Sequence, residues 1–174
     1  MCWEMGGDDE AEGTSTFEQF FRAEYARLVP MLQALTGDRA LAEDLAQEAM
    51  VKAQREWSRI AEYDRPAAWV RRVALNATSN ARRRRRHEEI ALGRDGADDL
   101  VLELAGGDDE LWAHVRRLPD QQRFAVVLFY VGDRSVVEVA EVLGCSEGTV
   151  KTHPSRARAT LARQLGATRW EARR

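Results

Sequence analysis

Ser135-Val-Val-Glu-Val-Ala-Glu-Val-Leu-Gly-Cys-Ser-Glu-Gly-Thr-Val-Lys-Thr-His-Pro-Ser-Arg-Ala-Arg158 reads as two short helices and the turn between them. Ser135 and Glu138 have the spacing of a capping box, which opens a helix by satisfying two of its orphan amides. Val136, Val139, Ala140 and Leu143 then repeat at helical spacing and are expected to be buried. Gly144 supplies a stop and Ser146 a cap for the second helix. Ala140, Gly144 and Val150 stand where a helix-turn-helix needs a small contact residue, a turn glycine and an apolar anchor.

At 100° per residue from Val150, the residues Gly148, Lys151, Thr152, Ser155 and Arg156 fall on the opposite face, while Ala157 and Leu161 return to the buried side. Cations and hydroxyls on an outward face suit base edges and phosphates in a major groove, and Arg158 is a further candidate for a phosphate. Pro154 interrupts this helix: it cannot donate to the Val150 carbonyl, so a kink is expected there.

Upstream, Leu111, Trp112, Val115 and Leu118 give one helical segment, and Pro119 opens another carrying Phe124, Val127, Leu128 and Val131, with Gly132 as its stop. Residues 93–109 hold four glycines among Asp and Ala, with Leu100 to Leu104 as their apolar cluster, and read as a flexible acidic linker.

The amino-terminal half holds three more helical patterns. Thr16 and Gln19 make a capping-box pattern ahead of Phe17, Phe20, Phe21, Tyr25, Leu28, Leu32 and Leu35, with Pro30 inside the helix and Gly37 at its end. Asp38 caps a second helix with Leu41, Leu45, Ala49, Ala53 and Trp57 on one side and Asp44, Gln47, Glu48 and Val51 beside them. Pro66 suits the first turn of a third, in which Val70, Val73, Ala77 and Ala81 are expected to face the core. On this third helix Trp69, Arg72, Asn76, Ser79 and Arg83 form a stripe of aromatic, amide, hydroxyl and cation, a mixture suited to unstacked bases and their phosphates. The run Arg82 to Arg86 extends it.

The expectation is therefore an all-α protein of two small helical domains: an acidic disordered tail over 1–15, a bundle over 16–92, the linker over 93–109, the helix-turn-helix domain over 110–166 and a basic tail over 167–174. With 44% apolar residues, a chain of 174 can build both cores. The formal net charge of -3 hides segregation: residues 95–110 carry no Lys or Arg, whereas 82–86 are all Arg. No apolar run approaches the ~20 residues of a membrane span, and the acidic start is unlike a signal peptide, so a cytoplasmic protein without membrane insertion is expected. Cys2 and Cys145 are the only cysteines and assemble neither a disulfide framework nor a thiolate metal site. His87, His114 and His153 lack metal-ligand spacing, and there is no phosphate-binding glycine loop or nucleophile motif. No catalysis, metal or cofactor is expected.

These residues resemble the extracytoplasmic-function (ECF) sigma factors of bacterial RNA polymerase, over roughly Phe17 to Gly166. Ala42-Glu-Asp-Leu-Ala-Gln-Glu48 is similar to the region-two helix that docks on the polymerase, which implies that Asp44, Gln47 and Glu48 face that partner. Ala68 to Asn76 resembles the segment that melts and reads the minus-ten element, which gives the Trp69 stripe its role. Leu118-Pro-Asp-Gln-Gln-Arg123 and Ser135 to Arg158 resemble region four, implying that Lys151, Thr152, Ser155, Arg156 and Arg158 contact the minus-thirty-five element. The resemblance implies core polymerase and promoter DNA, duplex and melted, as partners, admits an anti-sigma protein, and lays the linker toward the RNA path. Pro154 departs from the family, which usually has an apolar residue there. The alternative is a dimeric repressor or response regulator binding duplex DNA without polymerase, for which the Trp69 stripe would have no purpose.

Overall fold

The structure is a computed structural model that describes residues 9–92 and 109–165. Eight helices follow one another in it: α1 (Asp9–Thr36), α2 (Arg39–Arg55), α3 (Trp57–Ile60), α4 (Pro66–Ala91), α5 (Asp109–Arg116), α6 (Asp120–Tyr130), α7 (Val136–Leu143) and α8 (Glu147–Leu165). The expected linker and basic tail lie outside the described residues, except that α5 already begins at Asp109 and α8 ends at Leu165.

The start of the chain corrects one expectation. The helix begins at Asp9, inside the stretch read as a disordered tail, and Thr16 lies within it instead of capping it. The other ends follow their local signals. Gly37, at φ 75°, takes the left-handed conformation that stops α1 and donates to the Gln33 carbonyl at 2.8 Å. The Asp38 carboxylate accepts from the Leu41 amide at 3.1 Å, and Pro66 occupies the first turn of α4. The apolar row of α2 ends sooner than its spacing suggests: Glu56 closes the helix and Trp57 starts α3, where its ring meets Phe17 at 5.2 Å and Phe20 at 4.8 Å.

α1, α2 and α4 pack together through Leu28, Leu32, Leu35, Leu45, Ala49 and Val70, and their small alanines let the backbones approach. The buried row of α4 is rotated from the expected one. Val70, Arg71, Ala74, Leu75 and Thr78 are buried, while Val73, Ala77 and Ala81 are half-buried. The reason is an ion pair: Arg71 meets Glu24 of α1 at 2.6 Å, both almost fully buried. Burial pushes the Glu24 carboxyl up and pulls the Arg71 guanidinium down, each opposed by its partner's charge.

α5 to α8 form the second unit, with α8 against α6 and α7. The two units are in direct contact: α4 meets α7, and α1 meets α5 and α6. A methyl group on Gly37 would stand 3.1 Å from the Arg116 side chain, so the α1 stop is also a close approach between the units.

Arg71→Met leaves Glu24 buried without its cation and is expected to cost about 3–5 kcal/mol. Urea denaturation checks this, and Glu24→Leu combined with Arg71→Met should recover most of the loss.

Candidate nucleic-acid interface

The second unit reproduces the helix-turn-helix at each local signal. Ser135 accepts from the Glu138 amide, and the Glu138 carboxylate accepts from the Ser135 amide at 2.9 Å, which closes the capping box. That bond, first, and the Arg134 guanidinium at 3.1 Å hold the Glu138 carboxyl down at about 2. Gly144, at φ 66°, ends α7 in the left-handed conformation. Ser146 accepts from the Thr149 amide at 3.2 Å and starts α8. Val139, Ala140, Val142, Val150, Ala157 and Leu161 are buried, whereas Val136 and Leu143 are half-buried.

Lys151, Thr152, Ser155, Arg156 and Arg158 are all exposed on the outer face of α8. Lys151 keeps a long 4.0 Å approach to Glu147, and the Thr152 hydroxyl donates to the Thr149 carbonyl at 2.7 Å. Neither contact is strong enough to withhold a side chain from DNA. α8 stays helical through Pro154 and continues to Leu165. His153, on the inner face beside it, is buried, and desolvation, then the Arg156 charge, keeps its pKa below the ordinary value. It therefore packs as a neutral residue above its ordinary pKa.

In the first unit the Trp69 stripe divides along its length. Trp69, half-buried, and Asn76, exposed, line a groove between α2 and α4 together with Asp44 and Glu48. Sequence reasoning missed Lys52 and Asn80 on the same groove and gave Arg84 only as part of the arginine run. The one available signal was Asn80 and Arg84 following Asn76 at steps of four. Gln47 is exposed on α2, and Arg83 is exposed on α4. Arg72 and Ser79 lie on the other edge of the stripe, against the second unit. Arg72 donates to the carbonyls of Val142, at 3.2 Å, and Glu141, and the Ser79 hydroxyl bonds the Asp120 carboxylate at 2.8 Å. Among the described residues no group of three His, Cys, Asp or Glu is gathered as metal ligands, and no helix is long and apolar enough to cross a membrane.

The sigma-70 region 2 family matches residues 20–88 and the sigma-70 region 4 family residues 108–161. The chain is 33% identical over 161 residues to the RNA polymerase sigma-E factor of Streptomyces coelicolor, covering 90% of each chain. It is 31% identical over 156 residues to the ECF RNA polymerase sigma factor SigM of Mycobacterium tuberculosis, covering 86% of this chain and 77% of that one. The chain belongs to the ECF sigma factors. Among the solved structures that share its fold are two complexes. One is the sigma factor RpoE of Bartonella quintana in complex with the anti-sigma factor NepR, at TM-score 0.72 and 23% identity over 86% of this chain and 96% of that one. The other is CnrH in complex with the cytosolic domain of CnrY, at TM-score 0.63 and 25% identity over 90% and 94%. The two-unit helical architecture of this sigma factor is thus the family's, and proteins of this family serve transcription initiation and are not catalysts.

Because the Glu138 carboxyl is held at about 2, the stability it gives α7 is present above its ordinary value of 4.5 and lost as pH falls toward 2. Glu138→Gln is expected to cost about 1 kcal/mol at neutral pH and to flatten the loss between pH 4.5 and 2, read by thermal unfolding across that range.

Proposed function

We propose that this sigma factor binds core RNA polymerase through the exposed row Asp44, Gln47 and Glu48 of α2, docks α8 on the minus-thirty-five duplex, and captures melted minus-ten bases along α4. The observation that carries this reading is the groove between α2 and α4. It sets the carboxylates of the polymerase row beside Trp69 and Asn76, so one surface can meet the enzyme and a displaced strand together.

Each role follows from chemistry. A half-buried indole offers a fixed plate on which any base can stack, and the Asn76 amide can donate and accept at a base edge. Arg83 and Arg84, exposed farther along α4, suit the phosphates of the same strand. Capture of bases that unpair transiently shifts the duplex toward its melted form, so opening is driven by binding energy and needs no covalent step. On α8, Lys151 and Arg156 can donate to guanine or phosphate, Thr152 and Ser155 to base edges, and Arg158 to the backbone. The RpoE and CnrH structures were solved with anti-sigma partners, which supports an anti-sigma protein as a third partner here. A cytoplasmic location fits these partners. The domain limits 16–92 and 110–166, joined by an acidic linker, fit the matched spans 20–88 and 108–161.

Run-off transcription from a promoter library with bacterial core polymerase tests the reading. Start sites should appear when the protein is added and fade about tenfold or more with Trp69→Ala, Asn76→Ala, since one stacked base is worth ~1–3 kcal/mol. Duplex binding with no polymerase-dependent start would instead support a repressor. Arg156→Ala should lower the slope of log affinity against log salt for minus-thirty-five duplex by about 1 if Arg156 holds a phosphate, and leave it unchanged if it does not.

A further inference from the structure

Arginines of three helices converge on one cavity. Arg82 and Arg85 of α4, Arg116 of α5 and Arg123 of α6 line a space of about 70 Å³, with Leu35 and Leu41 as part of its apolar wall. Depth is graded along it. The Arg123 side chain is 1% exposed, that of Arg82 36% and that of Arg85 45%, so one guanidinium lies at the floor and another at the rim. Gly37 makes room for the fourth: a Cβ at this position would stand 3.2 Å from the Arg116 guanidinium carbon. The described residues that line the cavity include no carboxylate. Asp120 pairs with Arg82 and Arg123, and Glu89 with Arg85, from outside that lining. The Thr36 and Thr78 hydroxyls, also in the wall, donate to the Leu32 and Ala74 carbonyls, so guanidiniums are the donors that the cavity presents.

We propose that this cavity is a binding site for a phosphate group. Four cations gathered in a half-enclosed, partly apolar space repel one another more strongly than they would in water, and a phosphate dianion among them attracts all four at once. A guanidinium has five N–H donors in a planar fork, so one arginine serves several acceptors together, and the fork matches the oxygens of a phosphate. Size agrees. A volume of about 70 Å³ is roughly five times the room that one water needs, enough for a compact tetrahedral ion and too little for a whole nucleotide. A nucleotide therefore enters by its phosphate and leaves its nucleoside outside, past Arg85. The site is separate from the surfaces assigned above, because neither the outer face of α8 nor the groove between α2 and α4 includes any of these four arginines.

Isothermal titration calorimetry of the full chain with sodium phosphate, at an ionic strength held constant with sodium chloride, tests this. Saturable binding of one phosphate per chain is expected. Arg85→Gln, at the rim, should weaken it about tenfold, the worth of one charged hydrogen bond, and Arg116→Gln by at least as much. Arg86→Gln removes the same charge from the next position, outside the cavity, and should change it less than twofold. Circular dichroism checks that each variant keeps its helix content. Equal weakening by Arg85→Gln and Arg86→Gln would mean that the arginine run holds phosphate only as a charged surface, and would overturn the proposal, as would the absence of saturable binding to the wild type. A parallel titration with adenosine monophosphate distinguishes the source of the group. Weaker binding than phosphate assigns the free ion and tighter binding the nucleotide, and either upholds the cavity when Arg85→Gln lowers it.

Discussion

The buried pair of Arg71 with Glu24 sets the rotation of α4, and the rest of the arrangement follows from that rotation. Two charges taken out of water tolerate little freedom, because either one buried without the other is costly. With Arg71 turned onto α1, the next residue points 100° away, and Arg72 meets the second unit. One turn before and one turn after it, Trp69 and Asn76 fall on the α2 side. A single buried contact thus decides which side chains of α4 face the groove and which face the helix-turn-helix.

The consequence is a helix with two differently placed edges. Its groove edge is open beside Asp44 and Glu48, while its other edge supplies α7 with a cation and Asp120 with two donors. The exposed outer face of α8 takes no part in this contact. The contact between the units therefore bears on where the second unit sits and not on the exposure of the outer face of α8. A polar, partly exposed contact between units is the kind that a larger surface can displace.

Legibility in the sequence followed the range of the interaction. The helix-turn-helix was readable because the Ser135 box, the Gly144 stop and the Ser146 cap each act within three or four residues. The outward set on α8 was readable for the same reason, since one buried anchor at Val150 fixes the other angles. Pro66 and Asp38 marked their helix starts equally well. The buried row of α4 was not readable, because Arg71 finds its partner 47 positions away and a sequence shows an arginine in an apolar row only as an interruption. The start of α1 was missed because an acidic stretch in a sequence reads equally well as a tail and as the beginning of a helix. The division of the Trp69 stripe depends on contacts 41 to 70 positions away, which no periodicity encodes.

The most direct test of this account is the distance between the two units measured by electron resonance with spin labels at Glu62→Cys and Ala159→Cys, in a background without Cys2 and Cys145. The two sites are exposed and lie outside the polar contact between the units. One short distance is expected for the free chain, with a shift to a longer one when core polymerase and promoter DNA are added. A distance that stays unchanged in the promoter complex would contradict it.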